Sequence, residues 1–226
     1  MDIKTNTSPK EIITCAMEEL AEFMKPDGFR FYKSKLEVRK CSDFIFSIST
    51  QLNRNNQVGE RVQAILTCSI FDKEGKECFW SKGIPHSKQN QDFLSWWDFY
   101  GEESYENSLK EIKELISQRF LPFIRRMESE QELVIQEVAE KGFCIFSGEA
   151  VYDAGFVISV KFLLKYGTRE QLTTAFQNYI DNHELPYVKT NMRKALDLLK
   201  QNKEVNNNGE KYYAEFVFEH NIELKF

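Results

Sequence analysis

Residues 63–81 read QAILTCSIFDKEGKECFWS, and this stretch decides the fold class. Ala64, Leu66, Cys68 and Ile70 alternate with Gln63, Ile65, Thr67 and Ser69, the period of two that a pleated strand imposes on its side chains. Asp72-Lys73-Glu74-Gly75 then breaks the pattern with turn residues, and residues 76–81 supply a returning strand. Two strands joined by so short a turn pair antiparallel, because parallel pairing needs a crossover of about a dozen residues or more.

Upstream the same period recurs. Phe44, Phe46 and Ile48 alternate with Ile45, Ser47 and Ser49, and Leu36-Glu37-Val38-Arg39 alternates as well. Phe29-Arg30-Phe31-Tyr32-Lys33 reads as extended. The run Asn53-Arg54-Asn55-Asn56-Gln57 joins two long strands and is expected to be exposed. Before the sheet the period is helical. Ser8-Pro9-Lys10-Glu11 makes a helix start, with Ser8 as cap, Pro9 in the first turn and Glu11 three residues on. Ile12, Ile13, Ala16, Met17, Leu20, Phe23 and Met24 share one face, and Pro26-Asp27-Gly28 ends the helix.

Downstream lies FLSWWDFY, residues 93–100, and then a helical stripe of Tyr105, Leu109, Ile112, Ile116, Phe120 and Phe123. Pro122 sits inside it, so an irregularity is expected there. Ser129 with Glu132 reads as a second capping box, opening a helix that Gly142 ends. Residues 156–165 read as a buried helix closed by Gly167. Thr168 with Gln171 caps the next helix, and Pro186 starts another. Asn206-Asn207-Asn208-Gly209 reads as a flexible turn, and the run after Tyr212 fits helix and strand equally. The expected fold is α+β: an antiparallel sheet flanked by helices in residues 1–128, followed by a mainly helical domain in residues 129–226.

The 226 residues, 42% hydrophobic with 19 Phe, are ample for a packed core. The net charge is −5. Residues 1–128 hold 19 Lys and Arg against 20 Asp and Glu; the remainder hold 11 against 15. An acidic chain lacks the footprint of a general nucleic-acid binder. The best basic cluster, Arg30, Lys33, Lys35, Arg39 and Lys40 beside Phe31 and Tyr32, is interrupted by Glu37 and Asp43 and reads as a protected edge strand. No apolar run reaches membrane-spanning length and no signal core opens the chain, so a soluble cytoplasmic protein is expected. Cys15, Cys41, Cys68, Cys78 and Cys144 form no Cys-x-x-Cys pair, which points to mostly buried thiols in a reducing compartment.

Catalytic signatures are absent from the sequence. His86, His183 and His220 have neither His-x-x-x-His spacing nor a neighbouring Cys, so no metal site and no cofactor is expected. There is no Gly-rich phosphate loop and no Gly-x-Ser-x-Gly. Cys144, in Phe143-Cys144-Ile145-Phe146, reads as buried and inert. The pairs Glu18-Glu19 and Glu102-Glu103 read as solvated faces.

The order of elements carries a resemblance. An amphipathic helix, Lys25-Pro26-Asp27-Gly28-Phe29, an aromatic-basic strand, a sheet, Trp96-Trp97-Asp98 and a helix ending in Phe120-Leu121-Pro122-Phe123 follow one another. Residues 8–127 resemble the bacterial family called domain of unknown function 4304. The resemblance implies a small α+β domain and brings no catalytic residues with it. By analogy it points to interaction or toxin-immunity modules rather than enzymes.

The expectation is therefore a non-enzymatic protein-binding module, in one concrete version an immunity-type protein that blocks a basic toxin. An acidic surface would speed its capture. The expected contacts are Trp96, Trp97, Asp98, Tyr100 and Glu103, since Trp and Tyr are enriched at binding hot spots. Core packing is the competing fate of these aromatics; a helix over residues 91–100 would dock Phe93, Trp96, Trp97 and Tyr100 on the sheet. Two other classes compete: a metal-dependent hydrolase assembled from scattered carboxylates with His86 or His183, and a structural homo-oligomer.

Overall fold

The structure is a computed structural model that describes residues 7–32, 35–38, 43–84, 96–145, 156–182 and 187–226. It is an α+β protein, and its chain divides into two compact units with the main break between Ser129 and Glu130.

In the first unit, α1 (Pro9–Met24) begins as its sequence dictates. The Ser8 hydroxyl accepts from the Glu11 amide and the Glu11 carboxylate accepts from the Ser8 amide, so two orphan donors are satisfied reciprocally. A 3-10 turn (Lys25–Asp27) ends on Gly28, whose φ of 84° only glycine adopts without strain. The sheet follows: β1 (Arg30–Tyr32), β2 (Lys35–Val38), β3 (Phe44–Leu52), β4 (Gln63–Asp72) and β5 (Cys78–Gly83), each antiparallel to the next. The short strand β6 (Trp97–Asp98) pairs with β4 at Gln63 and Ala64, on the edge that β5 occupies further along.

Register places Phe46, Ile70 and Trp80 in one row and Ile48 and Cys68 in the next. Trp80 stacks on Phe120 at 6.1 Å and meets Phe123 edge-on at 5.4 Å, so this face carries the helices. Alternation predicts one buried face, yet Ile45, Ser47, Ile65 and Ser69 on the opposite face are buried too. Ser69 and Ser81 satisfy each other there through a hydroxyl contact of 2.9 Å. Of the basic cluster, Arg30 is exposed on the edge strand β1, and Lys33, Arg39 and Lys40 lie outside the described residues.

The helix after β6 is continuous but irregular. α2 (Glu102–Leu115) runs into a π turn (Ile116–Phe120) and then α3 (Leu121–Ser129). Pro122 supplies no N–H for the carbonyl four residues back, and the ladder shifts to an i+5 bond from the Leu121 amide to the Ile116 carbonyl. Ser129 does not cap the following helix. Its hydroxyl donates to the Arg125 carbonyl at 2.8 Å, and α4 starts from Glu130 without a side-chain cap.

The second unit holds α4 (Gln131–Glu140), a two-stranded ladder of β7 (Cys144–Ile145) with β8 (Phe156–Val157), α5 (Val160–Tyr166), α6 (Arg169–Asn182), α7 (Tyr187–Lys200) and α8 (Lys211–Glu219). The ladder corrects the expectation of a helix over residues 156–165: the helix starts only at Val160, capped by the Ser159 hydroxyl on the Lys161 amide. Thr168 and Gln171 form the expected reciprocal cap. The ambiguous run is helical in α8. The Asn208 side chain is tied down: it donates to the Asn191 carbonyl at 2.9 Å and accepts from the Glu210 amide at 2.8 Å.

Phe143 centres this core. Its positive φ of 68° is unusual for a bulky residue and costs roughly 1–2 kcal/mol. The ring is repaid by contact with Phe176 at 4.8 Å and by stacking on Tyr213 at 5.8 Å. Gly142 before it has φ 63°, and a Cβ there would lie 2.7 Å from the Tyr179 backbone nitrogen. No helix among the described residues is long and apolar enough to cross a membrane.

Candidate functional site

The five expected contact residues fall on the connection from β6 into α2. Residues 97–98 are a strand, so the helix considered over residues 91–100 does not extend there; Phe93 lies outside the described residues. Trp97 is 0% exposed. Its backbone pairs with Ala64, and its indole N–H donates to the Ile84 carbonyl at 3.0 Å, which satisfies its one polar atom inside the core. Phe99 is buried beside it, with its amide on the Val62 carbonyl at 2.7 Å. Accessible surface remains on Trp96, Asp98, Tyr100 and Glu103. A partner contact by Trp97 would need this corner of the core to open.

Local hydrogen bonds fix Asp98 and Tyr100. One Asp98 carboxylate oxygen accepts the Tyr100 amide at 3.0 Å, and the Asp98 carbonyl accepts the Ser108 hydroxyl at 2.6 Å. The Tyr100 hydroxyl donates to the Gly59 carbonyl, and the residue is 39% exposed. Gly101, at φ 79°, turns the chain into α2, whose first turn carries Glu102 and Glu103. Carboxylates there oppose the positive end of the helix dipole.

That placement builds a site the sequence did not single out. A cleft of about 400 Å³ lies between α1 and α2. Glu19, Glu102, Glu106 and Glu114 give it four carboxylates, Lys110 and Lys113 give it two ammonium groups, and Tyr105 and Leu109 also line it. Glu102, Glu106, Glu114 and the adjacent Glu103 form no ion pair among the described residues. Tyr105 is buried, its ring edge-on to Phe99 at 6.0 Å, and its hydroxyl donates to a Glu19 oxygen at 2.8 Å. Burial, reinforced by that hydrogen bond, pushes the Tyr105 phenol well above its usual range, so it stays neutral.

The arrangement suits recognition of positive charge. Cys15 on the neighbouring helix is half-buried, and burial together with Glu18, Glu19 and Glu11 raises its thiol, which disfavours a thiolate nucleophile. Burial also raises the thiols of Cys68, which is buried, and of Cys78, which is exposed at the residue level. Cys41 lies outside the described residues. No group of three or more His, Cys, Asp or Glu is placed to hold a metal among the described residues. His86 and His183 lie outside them, and His220 packs against Phe216 with ring centroids 4.2 Å apart and the planes tilted by 31°. No family model, curated protein or solved structure matches the chain.

Proposed function

We propose that the chain is a cytoplasmic, non-enzymatic binding module that captures a basic protein partner, with an immunity-type blocker of a toxin as its concrete form. The observation that carries this reading is the acidic lining of the α1–α2 cleft, four carboxylates against two lysines, of which Glu102, Glu106 and Glu114 form no ion pair among the described residues. Carboxylates not committed to internal ion pairs are available to a partner's lysines and arginines. Charge-assisted hydrogen bonds to them would be stronger than neutral ones. Such a surface also speeds encounter with a basic partner, an effect that salt removes. Trp96, Tyr100 and Glu103 lie beside Glu102 in sequence and extend the contact surface.

The test is capture on the immobilised protein from bacterial lysate at low and high salt, followed by mass spectrometry. One dominant basic protein is expected, retained by the native chain and lost both in about 0.5 M salt and with the paired substitution Glu102→Lys and Glu106→Lys. Equal retention by that variant, folded by circular dichroism, would overturn the assignment of the cleft.

A further inference from the structure

Residues 221–226 leave α8 and run along α6. Asn221, at φ 51°, makes the turn, and the Ile222 amide donates to the Val217 carbonyl at 2.9 Å. Two α6 side chains then hold the backbone of the segment. An Arg169 guanidinium nitrogen donates to the Asn221 carbonyl at 2.7 Å. Gln177 does more: its amide nitrogen donates to the Lys225 carbonyl at 3.0 Å, and its oxygen accepts the Lys225 amide at 2.9 Å. The second hydrogen of that nitrogen goes to Asp181 at 2.7 Å, which fixes the orientation of the amide.

The spacing agrees with an extended occupant. Arg169 and Gln177 are eight helical residues apart, about 12 Å along α6. The carbonyls they hold are four residues apart, which an extended chain covers in about 13 Å. The segment therefore lies parallel to the helix. Burial alternates over residues 222–225 as in an extended peptide: Ile222 is 7% exposed and Leu224 half-buried, while Glu223 and Lys225 are exposed; Phe226, at 44% exposed, ends the alternation. Main-chain bonds that ignore sequence, combined with alternate apolar anchors, are how grooves read extended peptides. Asn56 clamps Gln63 in the same two-way manner, but it closes a loop seven residues long, whereas Gln177 reaches a segment 48 residues away.

We infer that the α6 surface from Arg169 to Gln177 is an extended-peptide groove, that residues 221–226 are its resident occupant, and that a partner peptide with apolar side chains at alternate positions takes their place. The hold is slight enough to exchange: three hydrogen bonds to backbone and one buried side chain, Ile222. Against it stands the high effective concentration of a segment on the same chain. An incoming peptide therefore binds detectably only when the resident anchors are weakened or its own contacts are better.

The test uses the full chain. The probe is a fluorescein-labelled peptide with the sequence of residues 219–226, read by fluorescence anisotropy. A chain carrying Ile222→Asp and Leu224→Asp is expected to bind it at least tenfold more tightly than the native chain. Adding Gln177→Ala to that chain should reduce binding at least tenfold. Hydrogen exchange supplies a second readout: in the otherwise native chain, Gln177→Ala should speed exchange of the Lys225 amide roughly tenfold and leave the α6 amides unchanged. The inference fails if the doubly substituted chain, folded by circular dichroism, binds no better than native, or if Gln177→Ala leaves its binding intact. Should the substituted chain not fold, exchange decides: a Lys225 amide indifferent to Gln177→Ala removes the groove.

Discussion

The Tyr105 hydroxyl donates to Glu19 across 86 positions of sequence, tying α2 to α1 at the cleft. The phenol is buried while the carboxylate keeps its access to water. Tyr105→Phe should thus lower stability by only about 1 kcal/mol, since Glu19 can rehydrate. Tyr105→Ala should cost about 3–5 kcal/mol, because it also empties the space beside Phe99. Urea unfolding of the two variants distinguishes the hydrogen bond from the packing.

The same pair gives an alkaline signature. The folded pKa of Tyr105 is raised above the unfolded value of about 10. Its contribution is therefore fully present below about pH 10 and declines as pH rises toward the folded value, where the unfolded chain has released a proton and the folded one has not. Between pH 9.5 and 11 the native chain should lose more stability than Tyr105→Phe. Parallel curves for the two would mean that Tyr105 ionises freely in the fold.

Trp97 and its neighbours should separate cleanly. Trp97→Ala should destabilise by about 3–5 kcal/mol. Tyr100→Ala should cost about 1 kcal/mol for its one exposed hydrogen bond, and Glu103→Lys less than that. Thermal melts of the three give the ranking. A Trp97→Ala chain as stable as Glu103→Lys would contradict the inward indole.

What the sequence disclosed was local. The period of two in residues 63–70 and the turn at Asp72-Lys73-Glu74-Gly75 specify the antiparallel pair, because strand alternation and a short turn are written within 20 residues. Thr168 and Gln171 were legible as a cap for the same reason. Ser129 was not, since its hydroxyl can serve either the next helix or the Arg125 carbonyl behind it, and only geometry chooses. Trp96 and Trp97 were indistinguishable until β6 paired with β4, which turns one indole inward. The α1–α2 cleft, joined by Glu19 and Tyr105, left no local signal. The two-way clamp of Gln177 on Lys225 left none either, because a glutamine on a helix reads as solvent-facing.

Gly142 tests the second unit. A Cβ there would meet the Tyr179 backbone at 2.7 Å, and helix backbone cannot give way as a flexible side chain can. Gly142→Ala also carries the cost of a positive φ. Together these should lower stability by about 2–4 kcal/mol, seen as a marked fall in melting temperature. A change below about 0.5 kcal/mol would mean that the end of α4 does not approach α6 so closely.

Acid should loosen the Lys225 end of residues 221–226 through Asp181. Its carboxylate takes hydrogen bonds from Lys189 and Gln177, and these two, Lys189 first, hold its pKa below the ordinary value. A depressed folded pKa means that the contribution is present above the unfolded value of about 4 and is lost as pH falls through the lower folded value. Protonation leaves Asp181 a poorer acceptor, and the Gln177 amide loses the partner that orients it toward Lys225. Protection of the Lys225 amide, corrected for intrinsic exchange, should therefore hold down to about pH 4 and fall below it. Asp181→Asn should lower that protection at neutral pH and flatten its acid dependence. If Asp181→Asn loses protection over the same acid range as the native chain, the acid sensitivity belongs to another group and Asp181 does not orient the clamp.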